Sequence, residues 1–91
     1  MQIEWRDEAE VDLYEILSFI AERNFQASLD LQASVERSIE HLTEHPYLYK
    51  PSVRKKGWRE VVVHPNYIVY YKVTDKIYIM AIVHSRQQYP T

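Results

Sequence analysis

The sequence predicts an α+β fold in the order β-α-α-β-β-β, a helical hairpin packed on a twisted antiparallel sheet. Three observations predict it. Residues 58–64, 67–73 and 76–84 are runs dominated by β-branched and aromatic residues. The polar breaks Pro65-Asn66 and Thr74-Asp75 separate them, which is the signature of an antiparallel meander. Ahead of the runs, two stretches repeat apolar residues every three or four positions, the period of amphipathic helices. Such a hairpin must bury its stripes, and the sheet is the surface available.

The elements follow in order. Gln2 to Trp5 alternates, with Ile3 and Trp5 on one face, and reads as a short first strand. Asp7 is placed to cap the next helix, and Glu8 and Glu10 sit where the helix dipole favours anions. That helix runs to about residue 23, with Ala9, Leu13, Ile16, Leu17 and Ile20 as its stripe. Asn24 ends it and opens the second helix, over residues 25–45, whose stripe is Ala27, Leu31, Val35, Ile39 and Leu42. Pro46 stops the helix. Residues 47–57 form a connecting loop that ends in the basic run Arg54-Lys55-Lys56. In the three later strands, Val61, Val63, Val69, Tyr71, Val73, Ile77, Ile79, Ala81 and Val83 are expected to face the helices. The opposite phase carries Glu60, His64, Tyr70, Lys72, Tyr78, Met80 and His84. Its tyrosines either cover the sheet or line a binding concavity.

Ninety-one residues with 46% hydrophobic and 26% charged side chains make one ordinary globular domain over residues 1–91. The absence of cysteine excludes disulfides and thiolate chemistry, and a single glycine excludes a glycine-built phosphate cradle. No apolar run approaches a membrane span and no basic-then-apolar signal opens the chain, so a cytoplasmic setting is expected. The net charge of −2 conceals a split: residues 1–45 hold 3 Lys/Arg against 11 Asp/Glu, residues 46–91 hold 8 against 2. A basic half favours an anionic partner, unless the two halves serve each other. His41 and His45 lie one helical turn apart without a third ligand, so no metal and no cofactor is expected. Glu10 and Asp12 read as complements of the helix dipole, and Trp5 and Trp58 as core or rim residues.

Three ordered blocks carry a resemblance. They are Glu44-His45-Pro46-Tyr47-Leu48-Tyr49, then the run from Arg59 through Val63-His64-Pro65-Asn66 to Tyr71, then Ile82-Val83-His84-Ser85-Arg86-Gln87-Gln88-Tyr89-Pro90. Together with the acidic opening of the first helix, they resemble the ParE branch of the ParE/RelE toxin superfamily over nearly the whole chain. The resemblance implies a toxin of a type II toxin–antitoxin system, associated with growth arrest and plasmid maintenance. ParE-like members are associated with poisoning DNA gyrase, whereas RelE-like members cleave mRNA on the ribosome. It also implies a small antitoxin whose flexible segment wraps the hairpin and the sheet, by groove and strand-addition modes. On that reading Leu13, Leu17, Ile20, Leu31, Val35, Tyr70 and Tyr78 meet the antitoxin, and operator DNA is met only through it.

The same resemblance divides the site residues. A RelE-type nuclease needs cations around its transition state together with acid and base groups. Its relatives carry an arginine in the central strand, where this chain has Ile68. For an endonuclease there remain Arg59, His64, His84, Arg86 and Tyr89. Alternatively, His84 merely ends a strand and Tyr89 packs the tail. Arg86 lies just past the last strand and suits a carboxylate, phosphate or carbonyl. The leading expectation is a non-catalytic gyrase inhibitor meeting its target through Arg86, Gln87, Tyr89 and the basic run Arg54, Lys55 and Lys56. A sequence pI near 6.1 also argues against a ribosome binder. The rivals are the ribosome-dependent mRNA endonuclease and a non-toxic partner in antitoxin co-repression.

Overall fold

The computed structural model describes residues 1–86. Its elements run β1 (Ile3–Trp5), α1 (Asp7–Ala21), α2 (Phe25–Glu44), β2 (Arg59–His64), β3 (Tyr67–Val73) and β4 (Ile77–His84). The strand β1 leads straight into α1. Arg6 donates its N–H to the Ile79 carbonyl at 3.0 Å, and its own carbonyl accepts from Ala9 and Glu10. Asp7 is therefore the first helical residue rather than the cap, and Arg6 fills the cap position in extended backbone without a side-chain capping bond, its guanidinium pairing with Glu8 instead. Asn24 does cap α2, its side chain accepting from the Ala27 N–H at 3.0 Å. The two helices are pinned together where Ser28 Oγ donates to the Leu17 carbonyl at 2.9 Å.

The sheet order is β1-β4-β3-β2. The meander β2-β3-β4 is antiparallel, but β1 pairs parallel to β4, Ile3 opposite Ile77 and Trp5 opposite Ile79. The sheet is therefore mixed and not antiparallel throughout. Two helices separate β1 from the meander, so no hairpin turn dictates its direction. Between helices and sheet lies the main core of Ala9, Leu42, Val61, Val69, Tyr71, Ile77, Ile79 and Ile82. A second cluster on the far face joins Trp58, Tyr70, Met80 and Ala81, with Ile68, Tyr78 and Val83 packed against it.

One feature of β4 changes which residues face the helices. Tyr71 pairs with Ile79 and Tyr70 with Ala81, leaving Met80 as the extra residue of a β-bulge. Before the bulge, Ile77 and Ile79 point at the helices as alternation requires. After it the phase is shifted by one. Ala81 and Val83, expected on the helix side, belong to the far face, and Ile82 replaces them in the main core. His84, expected on the far face, turns to the helix side and lines a cleft against α1. A single inserted residue reverses every side chain beyond it because the strand period is two.

Candidate functional site

The end of the sheet where His84 lies is closed by a set of backbone clamps. His64 and His84 both pair with Tyr67, so all three meet in one row. The Tyr67 ring centroid lies 5.8 Å from that of His64 and 5.3 Å from that of His84. The turn between β2 and β3 holds the chain leaving β4. Ser85 donates its N–H to the Asn66 carbonyl at 2.7 Å and its Oγ to the Pro65 carbonyl at 3.1 Å. Each histidine accepts locally through Nδ1, His64 from the Asn66 N–H at 3.0 Å and His84 from the Arg86 N–H at 3.1 Å. In the neutral ring the proton then sits on Nε2, which is a donor. Arg86 follows immediately and is exposed.

Beside this row lies a cleft of about 490 Å³ between the sheet end and α1, lined by Asp12, Glu15, Ile16, Phe19, Tyr67, Ile82 and His84. Its charged walls are two carboxylates, one of which is engaged: Asp12 Oδ2 accepts the backbone N–H of Ile82 at 3.0 Å. Asp12 is thus more than a dipole complement. The first-helix signal was in the spacing, three residues after Ala9 and four before Ile16, which puts a carboxylate on the edge of an apolar stripe. Its partner, seventy residues away in sequence, left no local trace.

The other candidates separate from this site. Arg59 pairs with Tyr71, four residues along β3 from Tyr67, which at strand rise is about 13 Å. There its Nη1 donates to the Tyr49 carbonyl at 2.7 Å and its guanidinium lies 5.1 Å from the Tyr47 ring centroid. Arg59 fastens the loop after α2 and does not join His84 and Arg86. Tyr71, buried beside it, donates to the Pro46 carbonyl at 3.0 Å. Burial raises the Tyr71 phenol above its ordinary value, against the opposing pull of Arg59. Ile68, at the position where an arginine would serve a nuclease, packs on the far-face cluster.

The basic run is a closed loop, not a loose linker. Ser52 is buried and its Oγ accepts from the N–H groups of Arg54 and Lys55, both at 3.2 Å. Ser52 donates to the Trp58 carbonyl, Trp58 donates back to Lys55, and Gly57 at φ 85° makes the reversal that only glycine takes without strain. The Lys55 ammonium lies 5.1 Å from the Trp58 ring centroid, while Arg54 and Lys56 are exposed.

The positions expected to meet an antitoxin fall into two groups. Leu13 and Leu17 are half-buried and, with Trp5, Glu10 and Tyr14, line an apolar cleft of about 320 Å³. Ile20 and Tyr78 are also half-buried. Leu31 and Val35, however, are 3% and 1% exposed, and Tyr70 is buried in the far-face cluster. The stripe of α2 turns inward, so a partner reaches Leu31 or Val35 only by opening the core. The residues on offer instead are Tyr14, 73% exposed, with Phe25 and Leu29. Gln87 and Tyr89 lie outside the described residues. Among the described residues no three His, Cys, Asp or Glu side chains converge on a metal position, and His41 hydrogen-bonds Tyr49 through Nδ1 at 3.0 Å.

The family described as the ParE toxin of the type II toxin–antitoxin system parDE matches residues 3–89. The chain belongs to that family. The Sinorhizobium fredii protein Y4kP, whose name marks it as a candidate toxin, is 29% identical over 90 residues, covering 98% of this chain and 93% of its own. Among solved structures, the chromosomal ParDE system from P. aeruginosa superposes with a TM-score of 0.78 at 18% identity, covering 92% of this chain and 95% of that one. YafQ from E. coli strain BL21(DE3) superposes at 0.53 with 22% identity, covering 92% of both chains. YafQ in its complex with DinJ from E. coli gives 0.52 at 22% identity, covering 91% of both. At these identities the structures establish a shared fold for this ParE-family toxin. No described helix is long and apolar enough to cross a membrane.

Proposed function

We propose that this toxin arrests growth by binding DNA gyrase, without catalysis of its own, and is neutralised by a cognate antitoxin. The observation that carries the reading is the separation of Arg59 from His64, His84 and Arg86, which share the other end of the sheet. A phosphoryl-transfer site concentrates positive charge where the transition state develops negative charge. Here Arg59 is committed to a loop at the opposite end of the sheet. The cleft beside His84 presents Asp12 and Glu15, which repel a phosphate. With its Nδ1 engaged by the Arg86 N–H, the neutral His84 ring has only an Nε2–H to offer, which is unsuited to abstracting a 2′-hydroxyl proton. What the site supports is contact: a clamped turn that presents Arg86 at the sheet's end and a closed basic loop some distance from it. Membership of the parDE family and the joint crystal of YafQ with DinJ support an antitoxin partner. Its place is the rim of Tyr14, Leu13, Leu17 and Trp5, where an apolar side chain finds a cleft with the Glu10 carboxylate on its wall.

The test uses the purified toxin in two reactions run side by side, gyrase supercoiling with trapping of the cleavage complex, and ribosome-loaded mRNA. Blocked supercoiling with intact mRNA is expected. Codon-positioned cuts in the mRNA with unaffected gyrase would overturn the proposal.

A further inference from the structure

We propose that Asp12 is the positioning residue for the C-terminal segment that carries Arg86. The inference rests on the reading that this segment meets the toxin's target.

The geometry begins at the short strand β1, which stops at Trp5 opposite Ile79. Before that point β4 exchanges backbone bonds with β1, Ile77 donating to Gln2 and Ile79 accepting from Arg6. Beyond it no strand among the described residues pairs with β4 on that side. The bulge at Met80 then rotates the chain so that the Ile82 N–H points away from β3, into the space β1 has vacated. A part-buried N–H without an acceptor is costly, and such groups are almost always paired. Asp12 provides the acceptor from α1, at 3.0 Å. Its carboxylate therefore fixes the post-bulge phase of β4. That phase sends Ile82 into the main core and His84 to the α1 side, against Tyr67. In turn His84 accepts the Arg86 N–H, and Ser85 is tied to Asn66 and Pro65. A run of contacts thus leads from one helix carboxylate to the direction in which Arg86 leaves the sheet. Without the acceptor, the unshifted alternation of β4 competes, and it would turn His84 to the far face.

The experiment compares Asp12→Ala and Asp12→Asn with the wild type. Asn keeps an oxygen that accepts from Ile82 and loses only the charge; Ala removes the acceptor. The readouts are growth arrest at matched soluble toxin, affinity for the cognate antitoxin, and amide NMR of residues 82–86. We expect Asp12→Ala to lose about tenfold or more of its growth-arresting potency and to move the Ile82, His84 and Arg86 amides. Asp12→Asn should stay within about threefold of wild type, and antitoxin affinity should change little in either. Those sizes follow from an interface arginine being displaced or kept. Full potency in Asp12→Ala, or equal loss in both variants, overturns the proposal. Growth arrest reads the positioning whatever the target is, so a failure of the gyrase reading alone leaves unaffected supercoiling beside the Asp12→Ala defect. If Asp12→Ala does not fold, hydrogen exchange on the wild type decides. An Ile82 amide protected like the ladder amides supports the proposal, and one exchanging as freely as a loop amide overturns it.

Discussion

Arg59 and Tyr71 stand opposite each other in the ladder between β2 and β3, and both reach out of it to hold the loop that follows α2. Replacing Tyr71 with Phe keeps the buried ring and loses its bond to the Pro46 carbonyl, so stability should fall by about 1 kcal/mol. The same phenol has its pKa raised by burial. Its contribution is therefore complete below the ordinary value of 10.0 and is lost as pH rises through the higher folded value. Thermal melts between about pH 8 and pH 11 should show a steep alkaline decline in wild type and a shallower one in Tyr71→Phe; equal slopes would count against this assignment. Arg59→Ala should lower the melting temperature through the lost bond to Tyr49, yet arrest growth normally once folded protein is matched. Arg86→Ala should do the reverse, with an unchanged melt and about a tenfold loss of potency, the scale of an interface arginine. A nuclease would show the opposite ranking for Arg59, which growth assays at matched soluble level can read directly.

The helices divide between holding the fold and meeting a partner. Leu31 lies in the core side of α2, so Leu31→Ala should cost roughly 2–5 kcal/mol and weaken antitoxin capture only as far as it unfolds the toxin. Tyr14→Ala, on the exposed side of α1, should leave the melt within about 0.5 kcal/mol of wild type and weaken antitoxin binding several-fold. Calorimetry paired with a pull-down separates the two. The strands and helices themselves are legible because each has a period and a stop: alternating β-branched residues with Pro65-Asn66 between them, or a stripe ended by Asn24 or Pro46. The bulge was not legible, since Met80-Ala81-Ile82-Val83 is apolar at every position and either phase fits. The inward stripe of α2 was legible as a stripe, but whether sheet or partner covers it depends on how far the hairpin seats, which no local pattern records. Asp12 and Ile82, Arg59 and the Tyr49 carbonyl are pairs set by topology and leave no trace in local spacing.

Across the whole molecule the charge split acquires a shape. The acidic first half forms the helical layer, with Asp12 and Glu15 over the sheet's end, while Arg54 and Lys56 are held out on a loop closed by Ser52 and Gly57. Long-range attraction of such a loop to an anionic surface weakens with salt, since the screening length is about 8 Å at physiological ionic strength. The double change Arg54→Glu and Lys56→Glu should therefore slow engagement of a gyrase–DNA complex several-fold at low salt and much less at high salt. A defect of the same size at both salt concentrations would argue that the loop makes direct contacts instead.

On the proposed reading the toxin works by occupying its target. Purified toxin titrated against a fixed amount of gyrase, read as lost supercoiling with mRNA length on loaded ribosomes followed in parallel, distinguishes occupancy from cleavage. Occupancy predicts inhibition that grows with the toxin-to-gyrase ratio and saturates near equimolar, while the mRNA stays whole. Gyrase that keeps working at large toxin excess, beside mRNA cut at far less than one toxin per ribosome, would contradict it.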